Sequence, residues 1–381
     1  MKIVSIEPTP SPNAMKLNLD ESLAPGTKYA FTKETIGRAP AHLRALLGIE
    51  GLKSVYQAAD FIAVEREAGA DWRVVLAAVR EAFGGEGGAA DAVPEAAEGY
   101  GEANVLVQMF RGIPMQVRVR AGHEEARVAL PERFAAAAMK AGAASPNLIK
   151  ERQLVEHGVR YGDLPDIAAQ VSAELDAAYD DERLAALVKQ AETMGDAPAA
   201  APALSEAERL TTEEIEARLD APDWKTRYAA LERLKPEPDT LRIVVKALED
   251  EQFSVRRLAV VYLGDIKGPE AMRHLIRMLR DPSVAVRRTA GDALSDIGDP
   301  AAQPAMIEAL ADKSKIVRWR AARFLYDCGD ERALDALRAA SDDPEFEVAL
   351  QARMAAERIA SGEAAAGTVW QQMAARSRDD G

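Results

Sequence analysis

The sequence predicts a multi-domain protein that joins a small α+β domain and a mixed α/β middle segment to an all-α solenoid of helical repeats. Three observations support this prediction. Residues recur at an interval of 31 positions in the C-terminal part, apolar and polar residues alternate in the first two parts, and two low-complexity stretches separate the three. The length of 381 residues exceeds what one compact core usually takes, which agrees with several domains.

The composition excludes several classes of function. The net charge of −14 argues against a general nucleic-acid binder, because phosphate backbones attract basic surfaces. The single cysteine, Cys328, cannot form an internal disulfide, a CxxC redox pair or a protein-held iron–sulfur cluster, and the four histidines show no metal-ligand spacing. No apolar run reaches the roughly 20 residues of a membrane span. We therefore expect a cytoplasmic protein with no cofactor and no membrane partner.

The first domain, residues 1–83, is predicted to be a small α+β layer. Its strand-like stretches alternate apolar and polar side chains, and its helical stretches place apolar residues three and four positions apart. Strands are expected at 2–8, 14–20, 52–58 and 61–67, with a turn at Ala59-Asp60, and helices are expected at 39–48 and 71–83, the second opening at Asp71.

The middle domain, residues 100–194, lies between two stretches rich in Gly, Ala and Pro. These stretches, residues 84–99 and 195–205, are predicted linkers, because such compositions without periodicity cannot offset the entropy of ordering. Strands are expected at 104–110 and 116–120 with a turn that starts at Arg111, followed by helices at 132–142, 145–158, 166–179 and 181–192.

The third part, residues 206–381, is a tandem repeat. The recurring residues are Val255, Val286, Val317 and Val348, together with Asp250, Asp281, Asp312 and Asp343. Each unit has two apolar stripes of helical spacing and cannot bury both alone, so the units must stack. Asp and Arg also recur six positions apart, as in Asp250 and Arg256. This spacing indicates a ladder of charge-assisted hydrogen bonds between neighbouring units, with an anion site as the alternative.

Two segments resemble known families. The repeats, for example DEQFSVRRLAVVYLGDI and DPSVAVRRTAGDALSDI, resemble HEAT repeats, in particular the short-period kind also found in bilin-lyase-like proteins. The first domain resembles the N-terminal domain of Nfu/NifU-type iron–sulfur scaffold proteins in EPTPSPNAMKL, GIEGLKSVYQAADFIAVER and Asp71-Trp72. The separate domain on which those proteins hold their cluster, with its CxxC pair, has no counterpart here. This resemblance therefore implies a fold and a partner class, and no cluster.

The combination of all three parts resembles the bacterial conserved virulence factor C family over nearly the whole chain. The middle domain contributes QMFRGIPMQVRVR, LPERFAAAAMK, GVRYGD and ELDAAYDDERL to this resemblance. The resemblance implies a non-enzymatic protein with a regulatory or scaffolding role.

Five basic side chains are candidates for binding a partner. Arg242 and Arg273 lie one period apart, as do Lys246 and Arg277, and Arg280 extends the row. They are expected on the polar faces of second helices, where they form either a basic stripe for an acidic partner segment or phosphate backbone, or an ordinary solvated helix face. Residues 251–330, which include Arg273, Arg277 and Arg280, contain 13 Lys and Arg against 11 Asp and Glu, so the repeats are the least acidic part of the chain.

Trp319 and Cys328 are two further residues of interest. Trp319 occupies the position that Arg257 and Arg288 hold in earlier repeats, and it is either an exposed anchor for the partner or a cover for the neighbouring helix. Cys328 follows Ile266 and Ile297 at the same interval, so we expect a packing residue and not a reactive thiol.

The sequence favours a non-enzymatic scaffold that binds a protein partner through the surface of its HEAT repeats. One alternative is an accessory or targeting factor in iron–sulfur cluster assembly, in which the first domain contacts assembly or target proteins. Another is a bilin-lyase-like enzyme that works in the groove of the repeats. No phosphate-binding loop, zinc-protease motif or catalytic triad is recognisable, so neither an enzyme nor a nucleic-acid binder is expected.

Overall fold

The computed structural model describes residues 2–8, 14–24, 27–67, 70, 72–83, 100–122, 124–143, 151–194 and 210–362. The predicted linkers at 84–99 and 195–205 and the predicted helix start at Asp71 lie outside the described residues. The chain divides into two compact units. One unit contains residues 1–102 and 310–365, and the other contains residues 103–309 and 366–381.

A five-stranded antiparallel sheet forms the N-terminal domain, which belongs to the first unit. Leu17 and Val64 of this sheet share one buried core with Leu46 and Val79 of two helices, so the predicted α+β layer is confirmed. The strands β1 (Ile3–Pro8), β2 (Ala14–Leu19), β3 (Lys28–Thr32), β4 (Leu52–Ala58) and β5 (Phe61–Arg66) lie in the order β1-β2-β5-β4-β3, accompanied by a 3-10 helix (Lys33–Arg38), α1 (Ala41–Leu47) and α2 (Trp72–Ala82). Strand β3 was not expected from the sequence.

The middle domain contains a four-stranded sheet covered by helices. Helices α3 and α4 both contact β7, and α4 also contacts the repeat helix α7. The strands are β6 (Glu102–Phe110), β7 (Ile113–Ala121), β8 (Glu124–Ala129) and β9 (Arg152–Tyr161) in the order β8-β7-β6-β9, and the helices are α3 (Glu132–Gly142), α4 (Leu164–Ala178) and α5 (Asp181–Met194).

Both predicted hairpin turns are confirmed by the backbone. Ala59, between β4 and β5, has a φ of 46°, and Arg111 and Gly112, between β6 and β7, have φ values of 47° and 81°. In the turn between β6 and β7, positive φ at both central residues gives a twist that matches the strands of a two-residue hairpin, and Gly112 adopts it without steric cost.

The predicted helix at 145–158 is wrong, because residues 152–161 form strand β9. Residues 144–150 lie outside the described residues. The side chains at Val155 and His157 are more buried than those beside them, which is the two-residue period of a strand. Hydrogen bonding to β6 pairs one edge of this strand, so tertiary pairing outweighs the helix propensity of the Lys, Glu, Arg and Gln at residues 150–153. Strand β8 was also not expected.

The repeats are pairs of helices, as predicted, and the four recurring valines are all buried. We call α7, α9, α11 and α13 the first helices, and α6, α8, α10, α12 and α14 the second helices. Their bounds are α6 (Thr212–Arg218), α7 (Trp224–Glu232), α8 (Leu241–Ala247), α9 (Phe253–Ile266), α10 (Gly268–Met278), α11 (Val284–Ile297), α12 (Gln303–Ala309), α13 (Lys315–Cys328), α14 (Leu334–Ala340) and a last helix α15 (Phe346–Ser361), with 3-10 helices at Pro238–Thr240, Pro300–Ala302 and Glu331–Ala333.

A ladder of Asp and Arg side chains connects successive repeats. Arg256 donates from Nε and one Nη to the two carboxylate oxygens of Asp281 at 2.7 and 3.0 Å, and its other Nη donates to the Asp250 carbonyl at 2.8 Å. The Asp281 carboxylate also accepts the backbone N–H of Ser283 at 2.7 Å, which fixes the turn before α11. A bidentate Arg–carboxylate pair combines strength with geometric specificity.

The same bonds recur elsewhere, so the predicted ladder is confirmed. Arg227 donates to both oxygens of Asp250 at 2.6 and 2.9 Å. In the first unit, Arg318 donates to Asp343 at the same two distances of 2.6 and 2.9 Å. These guanidinium groups are therefore occupied by the protein's own carboxylates, which removes the reason for an anion site.

We expect Arg256→Ala to lower the free energy of unfolding by about 3 kcal/mol, because a buried Asp281, 6% exposed, would keep its charge and lose its cation. Urea denaturation followed by circular dichroism measures the change. Arg273→Ala removes an exposed arginine from the neighbouring helix and should change stability by less than about 0.5 kcal/mol. Equal losses in the two variants would contradict a structural role for the ladder.

Candidate functional site

The five candidate basic residues lie on the exposed surface of second helices. Arg242 and Lys246 are on α8, Arg273 and Arg277 are on α10, and Arg280 follows α10. Their side chains are 65, 41, 75, 50 and 70% exposed, respectively. We call the surface that α6, α8, α10 and α12 present to solvent the second-helix face.

Acidic side chains of neighbouring second helices pair with these cations. The pairs are Arg242–Glu216 (3.1 Å), Lys246–Asp220 (2.7 Å), Arg277–Glu249 (2.7 Å) and Arg280–Glu308. Each pair joins one second helix, or the turn after it, to the next. The second-helix face therefore has alternating charges, in place of the basic stripe that the sequence suggested.

Arg273 is the most exposed of the five cations. Its paired carboxylate is Glu270, one turn earlier on the same helix, with 3.7 Å between nitrogen and oxygen. Exposed pairs of this kind contribute less than about 1 kcal/mol, so a partner's carboxylate can replace Glu270 at little cost. Arg273 therefore combines the greatest exposure of the five with the longest distance to its paired carboxylate.

A cleft of about 380 Å³ adjoins the second-helix face at the C-terminal ends of α6 and α8. Its charged lining includes Asp220, Arg227, Lys246 and Asp250. Lys246 pairs with Asp220, and Arg227 pairs with Asp250. The charges of the cleft therefore pair with one another, as the charges of the second-helix face do.

Trp319 is buried, so its assignment as an exposed anchor is wrong. The residue is 2% exposed, and its ring lies 5.5 Å from that of Tyr100, centroid to centroid. Val348 and Ile316 complete the apolar cluster. Trp319 therefore covers a residue from far upstream in the chain, which is a packing role close to the second alternative.

Trp319 belongs to a row of equivalent positions that face inward. Arg257, Arg288 and Trp319 follow one another at the repeat interval of 31 and are 5, 0 and 2% exposed. Each contacts a segment outside the repeats: Arg257 contacts Glu174, Arg288 contacts Tyr161, and Trp319 contacts Tyr100. We call these three positions the inward row, and it attaches the N-terminal half of the chain to the repeats.

Glu174, on α4, is the centre of the buried attachment in the second unit. It is 1% exposed and lies 3.2 Å from Arg160 and 3.7 Å from Arg257. Gln170 donates to its second oxygen at 3.0 Å, and the Tyr228 hydroxyl lies 3.5 Å from the first. One carboxylate thus joins β9, α4, α7 and α9.

The charge state of this cluster follows from its surroundings. Burial raises the pKa of Glu174, but Arg257, Arg160 and the hydrogen bonds it accepts lower that pKa by more, so the group stays ionised. Burial and then Arg160 lower the pKa of His157 to about 4, so His157 is neutral at pH 7. The cluster is an internal ion pair and has no group poised for acid–base chemistry near neutral pH.

Arg288 makes a second attachment from the inward row. Its guanidinium lies 4.1 Å from the centre of the Tyr161 ring, and it pairs with Asp292 one turn later on α11. The Tyr161 hydroxyl also donates to Asp292. Sequence reasoning missed these roles, although the placement of Arg at two equivalent positions and Trp at the third was a visible signal.

The described residues contain no group of three or more His, Cys, Asp and Glu side chains that could hold a metal ion. Within those same residues, no helix combines the length and the hydropathy that crossing a bilayer requires.

Family profiles match three consecutive parts of the chain. Residues 4–86 match the N-terminal domain of scaffold protein Nfu/NifU, residues 108–188 match a virulence-factor profile, and residues 212–295 and 272–357 match HEAT repeats. Fold and comparisons together define a protein in which two α/β domains precede HEAT repeats.

Relatives align with this chain over nearly their whole length. An uncharacterized protein of Bacillus subtilis, YpgR, is 56% identical over 98% of both chains. Conserved virulence factor C of Staphylococcus aureus is 43% identical, and that of Staphylococcus saprophyticus is 38% identical, each over 99% of this chain and 100% of the relative. The chain belongs to the conserved virulence factor C family.

Two solved structures are similar to parts of the chain. A small Staphylococcus aureus protein is 41% identical with a TM-score of 0.21 and covers 22% of this chain and 99% of its own. The complex of CpcE and CpcF of phycocyanin lyase from a Nostoc species is 23% identical with a TM-score of 0.32, covering 42% of this chain and 68% of that chain. Neither similarity bears on the function of this chain.

We expect Glu174→Gln to destabilise the second unit by about 3 kcal/mol or more, because Arg160 and Arg257, 8 and 5% exposed, would be left as two buried like charges. Thermal unfolding monitored by circular dichroism measures the loss. Glu182→Gln, at an exposed position in α5 of the same domain, is the matched control.

A double variant tests the origin of that loss. Adding Arg257→Gln to Glu174→Gln removes one of the two unbalanced cations and should restore part of the lost stability. If the double variant is as unstable as the sum of the two single variants, the charge balance at Glu174 is not what stabilises the attachment.

Proposed function

We propose that this chain is a non-enzymatic scaffold that binds a protein partner through the second-helix face. The observation that supports the proposal is that the first helices are covered by other parts of the chain, whereas the second helices are exposed. The inward row on the first helices is occupied by the chain's own N-terminal half, whereas Arg242, Arg273 and Arg277 on the second helices are half exposed or more. When the chain itself covers one side of a solenoid, the helices of the other side remain accessible to a partner.

The charges of the face suggest the chemistry of the partner. Alternating acidic and basic side chains select a partner with the complementary alternation, and such complementarity sets specificity and the rate of association more than affinity. The partner's carboxylates would pair with Arg273 and Arg277, displacing the weak exposed pairs with Glu270 and Glu249. Binding of this kind should weaken as salt concentration rises.

Cross-linking in the native cell, followed by mass spectrometry, tests this proposal. The double change Arg273→Glu and Arg277→Glu reverses two charges at the centre of the face, and we expect it to remove at least 90% of the cross-links made from the repeats, an effect of about tenfold or 1.4 kcal/mol. Both side chains are at least half exposed, so folding should be unaffected.

Arg127→Glu is the matched control for the cross-linking. Arg127 lies on β8 of the middle domain, is 56% exposed and pairs with an acidic neighbour, Glu125, as the face arginines do. It should leave the set of cross-linked proteins unchanged. The proposal fails if the double variant keeps the same partners as the wild-type protein.

A role in iron–sulfur cluster assembly is a second candidate, favoured by the match of residues 4–86 to the Nfu/NifU N-terminal domain. In this role the N-terminal domain contacts assembly or target proteins and holds no cluster itself. Cross-links from exposed lysines of that domain, Lys28, Lys33 and Lys53, to iron–sulfur proteins would support it. Stoichiometric iron in the purified monomer would contradict the expectation that the chain holds no cluster.

A further inference from the structure

Three buried polar groups lie where the N-terminal domain meets the last repeat helices in the first unit. Tyr100 is fully buried, and Glu347 and Gln351, one turn apart on α15, are each 2% exposed. Among the described residues, the Tyr100 hydroxyl, both carboxyl oxygens of Glu347 and the Gln351 amide nitrogen have no hydrogen-bond partner in another residue. Buried polar groups that lack a hydrogen-bond partner lower the stability of the contact that buries them. The contact between the N-terminal domain and α15 is therefore less stable than a fully hydrogen-bonded contact would be.

The surroundings of these groups are apolar. Tyr100 packs on Trp319, and Val348, next to Glu347, belongs to the same buried cluster. Phe346, at the start of α15, packs against the core of the N-terminal domain. We call Tyr100, Trp319, Phe346, Glu347 and Val348 the docking contact.

The charged groups that face Glu347 are engaged elsewhere. Arg66 of β5 donates to the Ala70 carbonyl at 2.9 Å and lies over the Trp72 ring at 5.2 Å. On α13, Lys315 pairs with Glu345 at 3.1 Å. The attraction of Arg66 and Lys315 is therefore exerted from a distance, and the negative charge of Glu345 opposes it.

The other titratable groups near Glu347 do not neutralise its charge either. Arg318 of α13 is bound to Asp343 in the ladder. Tyr100 stays protonated, because burial and then the proximity of Glu347 raise its pKa. Burial likewise raises the pKa of Glu347, and its own backbone N–H, Arg66 and Lys315 lower it by less.

We propose that the proton on Glu347 controls the docking contact: the neutral carboxyl group lets the N-terminal domain remain docked on α13 and α15, and its ionisation loosens that docking. Loss of the proton places an unpaired negative charge in an apolar contact beside a hydroxyl and an amide that it can bind only after rearrangement. The contact then opens so that water can reach the carboxylate.

The direction of the pH dependence follows from linkage. The docked state holds the proton more tightly than the open state, in which Glu347 has an ordinary value near 4.5. Docking is therefore strongest below that value, weakens as pH rises towards the pKa of the docked state and levels off above it. Each unit between the two values weakens the docking equilibrium about tenfold.

Hydrogen–deuterium exchange of the full chain between about pH 5 and about pH 8 tests the proposal, after correction for the intrinsic pH dependence of exchange. In the wild-type protein, exchange in α13 and α15 should rise about tenfold relative to exchange in α9, which belongs to the other unit. Glu347→Gln, which keeps the shape and removes the charge, should abolish this rise.

Two further variants separate the carboxyl group from its neighbours. Glu357→Gln, at an exposed position of the same helix, should keep the wild-type rise. Tyr100→Phe removes an unpartnered hydroxyl and should also keep the rise, with slower exchange at every pH. The proposal is overturned if the wild-type protein shows no rise relative to α9, whether or not Glu347→Gln folds, or if Glu347→Gln shows the same rise as the wild-type protein.

Discussion

The requirement that a buried charge have a partner inside the protein organises this structure. The buried carboxylates of Asp250, Asp281 and Asp343 each lie at the start of a repeat, and an arginine of the preceding repeat neutralises each of them at both oxygens. One position further along, Arg257 and Arg288 enter the interior with a different set of partners, Glu174 and Asp292. Two adjacent positions in the repeat thus have distinct tasks, since one joins repeat to repeat and the other joins the repeats to the rest of the chain.

This arrangement separates two kinds of ion pair within the repeats. The strong, desolvated pairs lie in the ladder and in the inward row, where they stabilise the fold. The pairs on the second-helix face are exposed, and exposed pairs contribute little to stability. Buried and exposed ion pairs therefore occupy different helices of the repeats.

Local patterns predicted much of the fold. The interval between Val255 and Val286 was sufficient for the helical repeats, and the turns at Ala59 and Arg111 followed from the strands on either side. Prediction failed at residues 152–161, where the alternating burial exists only because β6 lies beside β9. A strand whose stability comes from pairing with a distant segment is difficult to predict from its own sequence.

Non-local contacts also limited how much of the candidate site could be predicted. The exposure of Arg273 and Arg277 follows from helical spacing, but the acidic partners of Arg242, Lys246, Arg277 and Arg280 lie in adjacent repeats and alter the net charge of the face. The burial of Trp319 depends on Tyr100, which is 219 positions earlier in the sequence, so spacing within the repeat could not reveal it. The cluster around Glu174 is equally non-local, since four separate elements contribute to it.

The inward row also constrains how this chain can evolve. The bonds from Arg227 to Asp250, from Arg256 to Asp281 and from Arg318 to Asp343 are alike, so a solenoid built on such bonds alone could gain or lose a whole 31-residue unit and keep them. The inward row is not uniform, because Arg, Arg and Trp meet three different counterparts in a fixed order. Deleting or duplicating one unit would place an arginine next to the residue that the tryptophan contacts, or the tryptophan next to a residue that an arginine contacts. The non-repeated half of the chain therefore constrains the number of repeats.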